Sequence, residues 1–164
     1  MKRQTGFTMI EMVVVLLLMG IIAATVLGRS IATSDIDLNS ETDKIRNHLR
    51  FAQAEAMKRS NTVWGIKSAG NEYWLFRDTN PDNATNEVRL PGVAYSGASN
   101  RINEADIRAT VSDFTVFFNR IGKPYTAYTN ETTNTPLAGQ LTITVTAGSQ
   151  NRPITITPET GLIR

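Results

Sequence analysis

The chain has 164 residues with one histidine and no cysteine, which excludes a disulfide scaffold and thiol chemistry and leaves zinc sites and histidine-based triads short of parts. Its formal charge of +2 rests on Lys2 and Arg3; beyond them 15 basic side chains balance 15 acidic ones, so the basic excess of a nucleic-acid-binding domain is missing. The length suits one domain of roughly 100–130 residues with a modest core, plus an apolar anchor.

The first element is Met1 to Leu27, MKRQTGFTMIEMVVVLLLMGIIAATVL. Two cations precede a Gly6-Phe7 junction, and no charge occurs from Met12 to Gly28. The spacing predicts a membrane-length apolar helix whose N-terminus stays cytoplasmic by the positive-inside rule, with everything after it periplasmic. Glu11 sits near its beginning. An acid at that place is costly and demands a positive partner. A secretory signal would instead end at a small-residue cleavage site, of which Ala23-Ala24-Thr25 is a poor version. Neither it nor a plain signal anchor has a use for Glu11.

Gly6-Phe7-Thr8-Met9-Ile10-Glu11 resembles the processing site of type IV prepilins and type II secretion pseudopilins. The resemblance implies that a prepilin peptidase removes leader residues 1–6, cutting between Gly6 and Phe7, and that the new amino terminus is methylated. Glu11, then the fifth residue, would pair with the N-terminal amine of a neighbouring subunit. A buried carboxylate and a buried ammonium are each unfavourable alone, so assembly is driven toward the pair. Gly20, Ala23 and Ala24 are small enough for close helix contact.

A second helical pattern follows. Leu38, Ile45 and Ala52 recur every seven residues, as do Thr42, Leu49 and Ala56, with charges of alternating sign between them. This predicts an amphipathic stripe that packs on a globular domain. No proline interrupts Phe7 to Ser60, and one unbroken helix of that length would run about 80 Å. Gly28 and Thr33-Ser34-Asp35 are the weak points, and Thr33 or Ser34 would serve as N-cap if the helix broke. Leu49 to Arg59 (LRFAQAEAMKR) resembles the end of the first helix in the GspH or FimT subfamily. Many members of that subfamily carry proline near the place of Gly28; glycine permits a bend without enforcing it.

After Ser60 the pattern becomes β. Thr62–Lys67 and Tyr73–Arg77 flank a turn at Ser68–Glu72, Asp78–Asn86 reads as a polar loop, and Arg89–Val93 as a short edge strand or turn. Ala98–Ala109 is ambiguous. Phe114–Phe118 reads as a strand, and Tyr125–Gly139, rich in Thr, Asn and Pro, as a surface loop. Leu141, Ile143 and Val145 alternate with threonines, as do Ile154 and Ile156, which predicts a hairpin whose apolar face lies on the helix stripe. The expected fold is α+β and pilin-like: leader 1–6, transmembrane and assembly helix 7–28, amphipathic helix 29–60, and a periplasmic antiparallel β domain 61–164.

Candidate chemistry is sparse. His48, within the amphipathic stripe, reads as a half-exposed helix histidine. Asp78-Thr79-Asn80-Pro81-Asp82-Asn83 echoes the start of a calcium loop, but Asn83 stands where glycine is required and Arg89 where an acid is required, so an Asx-rich turn is the better reading. No metal, cofactor or catalytic constellation is expected. FimT-like minor pilins take part in DNA uptake through arginines of a Gly-Arg-x-Arg type tail. Gly161-Leu162-Ile163-Arg164 keeps the glycine and the last arginine but has Leu162 in place of the first. Lys123, Arg152 and Arg164 are the candidate DNA contacts, set against a solvated chain end.

The resemblance therefore implies a minor pseudopilin or pilin that assembles into, or primes, a periplasmic filament of a type II secretion system or a type IV pilus. Its partners would be other pilin subunits, the prepilin peptidase and an inner-membrane assembly platform. A DNA-binding minor pilin is the alternative.

Overall fold

The computed structural model describes residues 8–59, 61–95 and 97–164, without the side chains of 25–37. One helix, α1 (Met9–Lys58), leads into a β domain. The backbone of α1 is helical through Gly28 and through 33–35, so no N-cap is needed there.

The stripe read from the sequence is the buried one. Leu38, Thr42, Ile45, Leu49, Ala52 and Ala56 are each no more than 2 % exposed. Thr42 hides its hydroxyl by donating to the Leu38 carbonyl one turn back, at 2.7 Å. Between the stripes, Lys44 pairs with Glu41, Arg46 with Asp43 and Arg59 with Glu55. These helix-surface pairs each add a few tenths of a kcal/mol.

Two antiparallel sheets share the stripe. The larger contains β1 (Trp64–Ala69), β2 (Glu72–Arg77), β3 (Glu87–Val88), β4 (Ile102–Asn103), β6 (Phe114–Phe118), β7 (Pro124–Tyr128) and β8 (Asn134–Pro136), in the order β3-β2-β1-β6-β7-β8 with β4 beside β2. The smaller has the order β10-β9-β5, from β5 (Thr110–Val111), β9 (Leu141–Ala147) and β10 (Gln150–Ile156). A one-turn helix, α2 (Glu104–Ile107), links β4 to β5. Its Glu104 is buried, accepts from the Val111 amide at 3.0 Å, and is raised above the usual carboxylate range by desolvation.

The apolar sides of β1, β6, β9 and β10 meet α1 in one core, with Ile66, Val116, Ile143, Val145, Ile154 and Ile156 all fully buried. The predicted final hairpin thus lies with its isoleucines on the helix, although its turn is only Gly148-Ser149. The β1–β2 turn is likewise shorter than expected, just Gly70-Asn71, because pairing extends to Ala69 opposite Glu72. The opposite face of the larger sheet carries a second cluster of Val63, Trp74, Phe76, Phe117, Tyr125 and Tyr128. Gly65 is required beneath it: a Cβ there would overlap the Val116 carbonyl and the Phe76 ring.

Tyr125–Gly139 is not a plain surface loop. It folds into the β7–β8 hairpin, and Tyr125 and Tyr128 are buried in the second cluster. The threonine and asparagine content masked two aromatic anchors three positions apart. Ala98–Ala109 resolves into β4 and α2, with Ile102 and Ile107 in the main core.

His48 is a second correction: it is 4 % exposed. Its Nδ1 lies 3.2 Å from the Tyr73 hydroxyl, and the Pro91 carbonyl accepts from the ring. The 89–95 loop folds over α1 and removes this histidine from water. Desolvation lowers its pKa from 6.5 to about 4.

Gln53 clips two loops to the helix: its Nε2 donates to the carbonyls of Gly122 (2.9 Å) and Gly161 (3.0 Å). One turn earlier, Arg50 donates to the Ile163 carbonyl at 3.1 Å. Gly161 has φ +62° and abuts Gly122, so a Cβ there would overlap the Gly122 carbonyl oxygen.

Two stability outcomes follow. Gly161→Ala should cost roughly 2 kcal/mol or more through left-handed strain and overlap; chemical denaturation of the detergent-solubilised chain measures it. His48 binds its proton less readily folded than unfolded, so its neutral form supports the fold fully above pH 6.5 and that support is lost as pH falls toward about 4. The loss should reach at most roughly 3 kcal/mol. A His48→Gln chain should lack this slope in a pH series of unfolding midpoints.

Candidate assembly site

The N-terminal turn of α1 holds the one charged side chain of its apolar half. Thr8 is the N-cap residue, in extended conformation, and Glu11 is the third residue of the helix. The Thr8 amide and hydroxyl both donate to Glu11 Oε2, at 3.3 and 3.4 Å. This capping box satisfies helix N–H groups that otherwise lack partners. It was legible as Thr-x-x-Glu, so Thr8 is a functional candidate that attention to Glu11 alone passes over. Both bonds are long and the pair is exposed, so a stronger donor can compete for the carboxylate without breaking a packed core.

Around and beyond Glu11 the helix is apolar on every face. Met9, Ile10, Val13, Leu16, Leu17, Met19, Ile21 and Ile22 are all more than half exposed. Gly20, Ala23 and Ala24 are exposed with them, and a side chain added at Gly20 would meet nothing within 4 Å. A helix of this character is stable only when covered by lipid or by other helices. Among the described residues no helix is long and apolar enough to cross a membrane; the side chains of 25–37 are not among them. Gly6 and Phe7, the expected cleavage junction, also lie outside the described residues.

The three candidate DNA contacts do not form one patch. Lys123 is tied to Glu159 at 2.8 Å. Arg152 opposes Val145 across the β9–β10 ladder, and so projects from the same side as the buried isoleucines, at the exposed end of the strand. Arg164 exchanges backbone hydrogen bonds with Thr155, which puts its side chain on the opposite side. Backbone pairing of 163–164 along β10 fixes these directions, and the sequence carried no sign of it.

The oxygens of the loop at 78–83 are engaged by the loop itself and by side chains of β1 and β2. Lys67 reaches Asp82 Oδ1 at 2.6 Å, Asp78 accepts from the Thr79 amide, and Asn80 accepts from the Asp82 amide. The Pro81 carbonyl accepts from Trp74 Nε1 at 2.7 Å. The loop therefore caps the aromatic face of the larger sheet, as an Asx-rich turn can.

The prokaryotic N-terminal methylation motif matches residues 1–27. A family described as type II transport protein GspH matches residues 41–161. Comparison with curated proteins and with solved structures returns no match. The two family matches lie on either side of residues 28–40 of α1 and mark a membrane-anchored, pilin-like subunit of the type II secretion or type IV pilus kind, a structural rather than a catalytic class. With most of the β domain and the buried end of α1 inside the second match, the chain belongs to the GspH family of type II transport proteins.

Proposed function

We propose that this protein is a minor pseudopilin that enters, or primes, a periplasmic filament after removal of residues 1–6. The observation that carries the reading is the division of α1. Leu38 to Ala56 is covered by the protein's own sheets, whereas Met9 to Ile22 is apolar and exposed. In the precursor, lipid covers that half, with Lys2 and Arg3 on the cytoplasmic side. Cleavage before Phe7 creates an amine, and the assembly platform passes the subunit from lipid into a helical bundle.

Transfer exchanges lipid for protein cover, so the hydrophobic effect alone gives little preference. Electrostatics supplies the direction. The Glu11 carboxylate, held only by two long bonds to Thr8, accepts a charge-assisted bond from a neighbour's terminal ammonium. Gly20, Ala23 and Ala24 let the helices approach closely. The β domain remains outside the bundle, free to contact other pilins.

DNA uptake is the weaker reading. Lys123 is engaged by Glu159, Arg152 and Arg164 point to different sides, and single phosphate contacts give weak, salt-sensitive binding.

Mass determination on the natively produced chain tests the proposal: it should begin at a methylated Phe7, and retention of Met1–Thr5 would overturn it. Gly6→Ala should leave the leader attached. Glu11→Ala should leave membrane insertion intact but reduce filament recruitment by about tenfold or more, as expected for loss of a desolvated ion pair; sedimentation of sheared filaments reads it.

A further inference from the structure

Outside the apolar half of α1, the large hydrophobic side chains left exposed among the described residues are Met57 (55 %), Ile121 (67 %) and Leu162 (45 %). They come from three distant parts of the sequence, yet the fold brings them to one place. Gly161 abuts the Gly122 carbonyl, and the Met57 sulfur lies 3.0 Å from where a Cβ on Gly122 would stand. Ile121 and Leu162 are the neighbours of those two glycines. The Gln53 clip holds both loops in register on the helix. Three exposed apolar side chains on adjoining segments clipped to one helix mark a protein contact.

We infer that this patch is a second subunit interface, and that it receives a neighbouring pilin-type subunit presenting an apolar side chain bordered by carboxylates. Two features select that occupant. The first is charge: on the segments that carry the three side chains, Lys58, Arg59, Arg120 and Lys123 stand against Glu55, Glu131 and Glu159. Glu55 is shared by two cations, so the rim keeps a positive excess. The second is position. Met57 lies on the last turn of α1, about 50 Å along the axis from Ile22, at the end remote from the segment that lipid would cover. This inference rests on the pilin reading above, since only in a filament does the remote end face another subunit. Leu162 stands where the DNA-binding tail pattern has arginine, which fits a dry contact better than a phosphate.

A photoreactive residue in place of Ile121, in the full-length chain in its native membranes, tests this. The expected product is an adduct with a polypeptide bearing an N-terminal methylation motif, about tenfold above the same probe at Ala105, an exposed α2 position. Leu162→Glu and Arg120→Glu should each lower its yield about tenfold, with the unfolding midpoint unchanged, because each sets a like or unpaired charge against the partner. Leader removal with no adduct above the Ala105 control, or an adduct with nucleic acid or a protein of another kind, would overturn the interface alone. A retained leader would overturn the pilin reading and the interface with it.

Discussion

Everything in this molecule hangs on a single rod that must satisfy two solvents. From Leu38 onward α1 offers a narrow stripe, ending in Ala52 and Ala56, small enough for two sheets to close on it at once. Toward Met9 the same rod offers apolar side chains on all sides. No single domain of this size can cover both kinds of surface. The β domain therefore anchors on one half and leaves the other to its surroundings, and that division supports the structural role of the family.

Glu11 modifies this division in a small but directional way. A purely aliphatic rod would be as content in lipid as in a bundle. A carboxylate held only by two long, exposed bonds from Thr8 is not, because a charged donor would hold it better. The capping box gives the acid local partners near the apolar segment and leaves it accessible.

Much of the fold was legible from the sequence, for identifiable reasons. The heptad stripe and the threonine-isoleucine hairpin have unmixed periodicities, and the structure buries their apolar residues as read, Leu141 only in part. Phe114–Phe118 was legible because aromatic and β-branched residues crowd it. Tyr125–Gly139 was not, because its polar content suits a loop and its two buried tyrosines act through a tertiary aromatic cluster. His48 was misjudged for a similar reason: its burial comes from the 89–95 loop, a distant segment whose own pattern is nearly featureless. Of the assembly site, Glu11 and the small residues were visible as local chemistry. The convergence of Met57, Ile121 and Leu162 was not, since one glycine–glycine contact and two bonds from Gln53 create it.

The bond from Arg50 to the Ile163 carbonyl spans 113 positions. It ties the segment laid along β10 to the helix that precedes the strands. A contact of that sequence separation raises the contact order of the domain, so closing the β domain over the far end of α1 belongs to the slower steps of its folding.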